Sequence, residues 1–404
     1  MNIYNFFKNK VVLVLLLFPF LEARGISAMS VYLGGIWGSI SLINTILRII
    51  SIIVLLFVLI IYYKKINFLI LPVYIYIFYT ISRDFLNNYE ISNNIKSLAY
   101  WSIFIFFMDW LIRNKMAKEF FGAVSFILFV EIIINFITII IYPNGMYIDE
   151  RGWIYNWFLG YKNLHIYDQI PYVCVAGLYY YISLGKLPLR YWISLIIIII
   201  SSILCKSSTS AFILIMMTVL MFLYNIKKKC TKFNIIILFT CFSIVALLFI
   251  GFQFNEKFAD IIFAIFKKDA TFTNRTAIWG KSLQIFLNNK LLGVGNGGYN
   301  LYIVNMYVTQ SHDMYLDILF TGGIIGYILY TFMIIIAGIK SFKYKDKFSI
   351  TILTICMIGY FTLFIFEAKR DFNLFYIVLL LFLYGEYYQE CTINKKRRKI
   401  YFNK

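Results

Sequence analysis

The sequence predicts an all-α integral membrane protein: about 12 transmembrane helices and a large extracytoplasmic loop containing an interfacial helix. Three observations predict it. Hydrophobic residues make up 61% of the 404 and charged residues only 14%, against roughly 45–50% and about 25% in an ordinary soluble domain. The surplus comes as repeated apolar blocks, among them Ile49–Tyr63, Ala123–Tyr142, Trp192–Leu204 and Ile235–Ile250, and about 20 such residues cross a bilayer. The basic residues, finally, cluster at alternate ends of those blocks. A soluble enzyme, a nucleic-acid-binding domain, a collagen-like chain and a disulfide scaffold are excluded.

Taken in order, the spans are expected near 11–23, 42–63, 66–84, 95–112, 120–142, 169–184, 190–205, 209–226, 233–252, 313–339, 348–366 and 371–388, forming one polytopic domain over 1–404. The first follows a short basic start, yet no small-residue cleavage site follows Phe20-Leu21-Glu22, so a retained anchor is expected. With this count Lys8/Lys10, Lys64/Lys65, Arg113–Lys118, Lys186/Arg190, Lys227–Lys232, Lys340–Lys347 and Lys395–Lys404 all fall on one side. That side holds 23 of the 38 Lys and Arg with four acids, and the rest of the chain balances its charges. This is the positive-inside asymmetry, and it puts both termini in the cytoplasm. The net charge of +19 reports topology, not a nucleic-acid partner. The six cysteines show no CxxC spacing and read as small packing residues. No internal repeat is visible, which argues against a transporter built of inverted halves.

Two extracytoplasmic segments stand out, 143–168 and 253–312. In the second, Thr273, Asn274 and Thr276 are candidate caps for a helix running to about Leu287. Trp279, Leu283 and Phe286 share one face of it, as in a helix lying at the membrane interface. Arg275, Lys267 and Lys268 gather at its start. Unpaired N–H groups and the macrodipole favour an anion there, and a guanidinium fork fits phosphate oxygens; snorkelling cations would leave the same pattern. Gly293, Gly295 and Gly298 spell GxGxxG, but no strand precedes them, so a close-approach loop is expected rather than a dinucleotide site. Ser311-His312-Asp313 opens the next span, and Gly322 with Gly326 forms a GxxxG pair for close helix approach. His312 is either a base for a sugar hydroxyl or a hydrogen-bonded helix-start residue. Lys206, amid Ser207, Ser208, Thr209 and Ser210 at the end of a span, is either a functional cation or a snorkelling one.

The order Gly160-Tyr161-Lys162-Asn163, then Lys206–Ser210, then Thr271-Phe272-Thr273-Asn274-Arg275-Thr276-Ala277-Ile278-Trp279, Leu292-Gly293-Val294-Gly295 and His312-Asp313-Met314-Tyr315-Leu316 resembles the O-antigen polymerase and ligase superfamily, most of all its Wzy-type repeat-unit polymerases. The resemblance covers roughly 150–330 by motif and the whole chain by span pattern.

The resemblance implies a glycosyltransferase of the bacterial inner or plasma membrane. It would polymerise undecaprenyl-diphosphate-linked repeat units on the outer face, moving the growing chain to a new lipid-linked unit for capsule, O-antigen or exopolysaccharide. Its partners would be that donor and acceptor, the bilayer, and a chain-length regulator and flippase. Carried over by residue, Arg275 would bind the diphosphate with Lys206, Lys162 and Arg151, and His312 would activate the acceptor hydroxyl. The family's His-Asn pair is His-Asp here, which makes Asp313 a second catalytic candidate. Trp153 and Tyr299 are candidate sugar contacts. Arg and Lys can stabilise a departing diphosphate without a metal, and no cofactor is implied. A ligase moving finished polymer to an acceptor is the alternative. A flippase would need charged residues along the spans, for which Glu131 and Asp109 are the candidates.

Overall fold

The computed structural model describes residues 3–64, 67–148, 154–227, 235–252, 275–297, 301–303, 306–308, 310–343, 347–368, 374–385 and 387–388. Helices dominate: α1 (Ile3–Lys8), α2 (Lys10–Leu21), α3 (Gly25–Tyr32), α4 (Ile36–Tyr62), α5 (Leu71–Leu86), α6 (Ser92–Arg113), α7 (Ala117–Ile141), α8 (Ile166–Leu184), α9 (Leu189–Leu204), α10 (Ser208–Lys227), α11 (Ile235–Phe252), α12 (Arg275–Asn288), α13 (Met314–Lys343), α14 (Lys347–Phe366) and α15 (Leu374–Leu381). Their ends follow local chemistry. Asn9 caps α2 through the Val11 N–H at 2.9 Å, Pro72 opens α5, and Gly185 closes α8 in the left-handed region at φ 74°.

A helix overlies each of the twelve expected spans, but their lengths differ. Among the described residues six helices are long and apolar enough to cross a membrane, and a seventh counts if α2 and α3, bent by 66°, make one broken span. Helices α9, α11 and α15 are apolar but shorter in this respect. Helix α4 turns most of its apolar surface outward, whereas α14 is buried inside the bundle, where lipid is the solvent for the first and protein for the second.

Two features tie the bundle together. Asp109 on α6 is fully buried and accepts from Tyr63 (2.7 Å), Asn67 (3.1 Å) and Tyr384 (2.7 Å), with Arg113 paired to it one turn on. It pins the end of α4 and the turn Phe382–Tyr384 to α6. Glu131, named with Asp109 as a candidate for a transport path, is buried within α7.

Helix α13 holds the second feature. At 30 residues it would run about 45 Å if straight, longer than the roughly 30 Å of hydrocarbon. It breaks instead at Gly323 (φ 63°, ψ −164°). The loop 290–295 supplies the missing backbone partners: Ile324 N–H donates to Lys290 O (2.8 Å) and Ile325 N–H to Leu291 O (3.2 Å), while Val294 and Gly295 N–H donate to Phe320 and Thr321 O (3.0 and 2.8 Å). The expected close-approach loop is therefore present. A Cβ at Gly293 would collide with the Thr321 carbonyl and one at Gly323 with that of Leu291. The GxxxG pair also does what its spacing predicts, because Gly322 and Gly326 admit the Tyr79 ring of α5.

Within 143–168 the described residues include an antiparallel sheet of short strands, β1 (Tyr147–Ile148), β2 (Tyr155–Trp157) and β3 (Gly160–Tyr161), in that order. In the second loop β4 (Leu301–Ile303) pairs with β5 (Met306–Val308).

Candidate functional site

Helix α12 is described from Arg275 on, and its candidate caps Thr273 and Asn274 lie outside the described residues. Part of its apolar face is covered by protein. Trp279 (2% exposed) packs on Leu316 with Leu283 alongside, and Ile278 packs on Phe320, so α12 is seated on the first turns of α13. Trp279 Nε1 also donates to Ser311 O at 3.0 Å. This side of α12 is buried because α13 offers it a complementary apolar face. The Arg275 end of α12 and the His312 end of α13 are thereby held side by side.

The start of α13 is built by polar capping. Asp313 Oδ1 accepts the Leu316 N–H at 2.8 Å, an N-cap contact. Asp317 Oδ1 takes both the N–H and the hydroxyl of Ser311 at 2.9 Å. Asp313 is fully buried, with Oδ1 on the cap and Oδ2 without a hydrogen-bond partner; the acid that touches His312 is a different one.

That acid is Glu367, one residue past α14. Its Oε1 accepts from Arg275 Nη2 at 2.9 Å and from Asn163 Nδ2 at 2.9 Å; its Oε2 lies 3.2 Å from His312 Nδ1. Arg275 also donates to the Phe366 carbonyl. Asn163 Oδ1 in turn accepts from the Ser207 hydroxyl (3.3 Å), which contacts Ser210 at 2.8 Å. Three of the five sequence motifs thus meet on one carboxylate, and a fourth joins them through Asn163. Glu367 is 7% exposed. Burial alone would push its carboxyl up, but the His312 hydrogen bond and the Arg275 guanidinium outweigh that and hold it below the ordinary Glu value.

The carboxylate fixes the imidazole. An ionised Glu367 can only accept, so it places the proton of a neutral His312 on Nδ1 and leaves the Nε2 lone pair as a base. Gln310 Nε2, also a donor, lies 3.5 Å from the same Nδ1 and makes no hydrogen bond to it in this tautomer. His312 and Lys206 share a further property: both adopt positive φ, 57° in each case. Non-glycine residues rarely do so, and such strain persists where the surroundings impose it.

The other sequence candidates divide. Lys206 is exposed at the turn between α9 and α10, next to Ser207 of the network. Lys162 sits within electrostatic reach of Cys205 at the end of α9. Arg151, Trp153 and Tyr299 lie outside the described residues, as do Lys267, Lys268, Thr273 and Asn274. His165 belongs to the scaffold: it is fully buried, Nε2 meets Gly160 O at 3.0 Å, and Nδ1 meets Asn135 Nδ2 at 3.4 Å. Since a carbonyl only accepts, the proton is on Nε2. Burial pushes this imidazole down to about 4. Among the described residues no group of three His, Cys, Asp or Glu could hold a metal ion.

Sequence reasoning missed Glu367 and gave Asn163 no role. The available signal was position alone: a carboxylate one residue beyond an apolar span, on the side where Arg275 and His312 were expected.

Comparison with known families matches residues 175–331 to the O-Antigen ligase model. This supports the resemblance to the O-antigen polymerase and ligase superfamily, whose members are glycosyltransferase-like enzymes acting on lipid-linked oligosaccharides at the inner membrane. The matched segment includes Lys206, Arg275 and His312 but ends before Glu367. A search of curated proteins found no match.

Proposed function

We propose that this chain is a polymerase, transferring a growing glycan from undecaprenyl diphosphate to the terminal sugar of a new lipid-linked repeat unit on the outer face of the cytoplasmic membrane. The observation that carries the reading is the junction of Arg275, His312 and Asn163 on Glu367. An orienting carboxylate, an imidazole and a cation at one place are the parts that glycosyl transfer from a diphosphate requires.

In the proposed step, Nε2 of His312 takes the proton of the acceptor hydroxyl as its oxygen attacks the anomeric carbon. The bond from that carbon to the diphosphate oxygen breaks, and the diphosphate leaves with the electron pair. Arg275 stabilises the departing charge, with Lys206, Lys162 and Arg151 as further cations of the outer face. A fixed guanidinium aimed at developing negative charge needs no metal for this. The proton on His312 then passes to water. Glu367 holds the imidazole in the competent tautomer and opposes the imidazolium charge as it forms. Asp313 supports the site by capping the helix behind His312. Trp153 and Tyr299 remain proposed sugar contacts, and both termini are proposed to be cytoplasmic.

The family description favours one second reading, a ligase that moves finished polymer to another acceptor. The same residues serve both, since only the acceptor differs.

Purified protein incubated with an undecaprenyl-diphosphate repeat unit is expected to give a ladder of lipid-linked products. Arg275→Ala and His312→Ala should leave single units unextended. Transfer of whole chains to a separate acceptor, with no ladder, would identify the ligase. Wild-type ladders from both variants would overturn the assigned roles.

A further inference from the structure

The residues that carry the proposed chemistry sit on a unit fastened to the bundle at a point far from it in sequence. Helix α12, the loop 289–297 and the half-helix from Met314 to the break at Gly323 are joined by the Trp279–Leu316 and Ile278–Phe320 contacts and by the four cross-bonds at the break. Arg275 begins this unit and His312 precedes its half-helix.

Consecutive residues at the end of α5 grip the loop from both polarities. Arg83 donates through Nε to Leu292 O (3.1 Å) and through Nη2 to Gly293 O (3.0 Å). Asp84, 1% exposed, accepts from the backbone N–H groups of Asn296 and Gly297 (3.3 Å for the latter) and from the side chains of Asn296 (3.0 Å) and Asn94 (3.1 Å). Tyr79 donates to Gly322 O at 2.6 Å, on the break itself. Charge-assisted hydrogen bonds to backbone are the stronger kind, and at buried Asp84 losing them strands a polar group. A loop held this way acts on the half-helix because its own backbone completes the helix at Gly323.

We infer that Arg83 and Asp84 are positioning residues for the transfer reaction, setting the half-helix before Gly323, and with it His312, against Glu367. This rests on the function proposed above.

The test is hydrogen–deuterium exchange on the full chain in lipid nanodiscs, paired with turnover of an undecaprenyl-diphosphate oligosaccharide. Arg83→Gln and Asp84→Asn should release the amides of 290–297 and 311–325 together while α7 and α8 stay protected. A displacement of about 1 Å at His312 should lower kcat by about 10²-fold, with KM little changed. Unchanged protection at 311–325 in either variant overturns the inference, and so does loss of that protection with wild-type kcat. If a variant fails to accumulate, Asn296→Ala removes a single Asp84 contact and should give the same paired release in smaller measure; 311–325 staying protected in it overturns the inference equally. Should Arg275→Ala and His312→Ala retain turnover, the proposed function falls, whereas exchange still decides the mechanical coupling.

Discussion

At the scale of the residue, Glu367 is where function and stability meet. Its two oxygens serve different partners, Oε1 the cation and Oε2 the imidazole. Glu367→Gln keeps the shape but offers His312 a neutral partner that no longer dictates its tautomer. Turnover should fall by about 10² or more with KM little altered, measured on the purified enzyme. The carboxyl is held below its ordinary value, and a depressed acid stabilises the fold above its unfolded pKa and loses that contribution as pH falls through the folded one. The difference in melting temperature between the parent and Glu367→Gln should therefore stay constant from pH 7 to 5 and shrink on stronger acidification. A difference that already collapses by pH 5 would contradict the assignment. Buried His165 has the opposite character. Its folded value of about 4 against an ordinary 6.5 means the unfolded chain takes up its proton first, so stability declines as pH falls from 6.5 toward 4.

At the scale of the element, the break in α13 is the feature most sensitive to side-chain volume. Gly293 has a φ of 63° and faces the Thr321 carbonyl with no room for a Cβ. Gly293→Ala should thus destabilise by about 1–3 kcal/mol through strained backbone alone, and by more through lost cross-bonds, seen as a lower melting temperature in detergent. Gly34→Ala is a useful contrast, since open space surrounds it despite a φ of 60°. The sequence revealed the helices because a bilayer demands long apolar runs, and it revealed α12 because caps and periodicity are local signals. It could not reveal that α13 is interrupted, since glycines at 322, 323 and 326 fit a close helix crossing equally well. Nor could it show that α12 packs on α13: an apolar face has the same spacing whether it meets lipid or protein.

At the scale of the whole molecule, Asp109 shows how a charge inside the bundle is retained by being fully engaged. Breaking a buried ion pair from one side costs about 3–5 kcal/mol, so Asp109→Ala should abolish accumulation of folded protein at temperatures the parent tolerates, whereas Tyr384→Phe removes one bond and should cost about 1 kcal/mol. Retained folded yield and melting temperature in Asp109→Ala would contradict the pinning role. The candidate site was legible only in part for a related reason. Arg275, His312 and Lys206 announced themselves as polar groups at the ends of apolar runs, but Asn163 and Glu367 are separated by 204 positions and acquire meaning only when α8, α10, α12, α13 and α14 come together. No local pattern encodes that meeting.

Timing follows from where Glu367 falls in the chain. A nascent polypeptide emerging from the ribosome inserts Arg275 and His312 well before the segment that will unite them. Until α14 and the acid that trails it have been made, the cation and the imidazole lack their common partner. On the function proposed above, a product truncated before Glu367 would lack the junction on which that transfer depends.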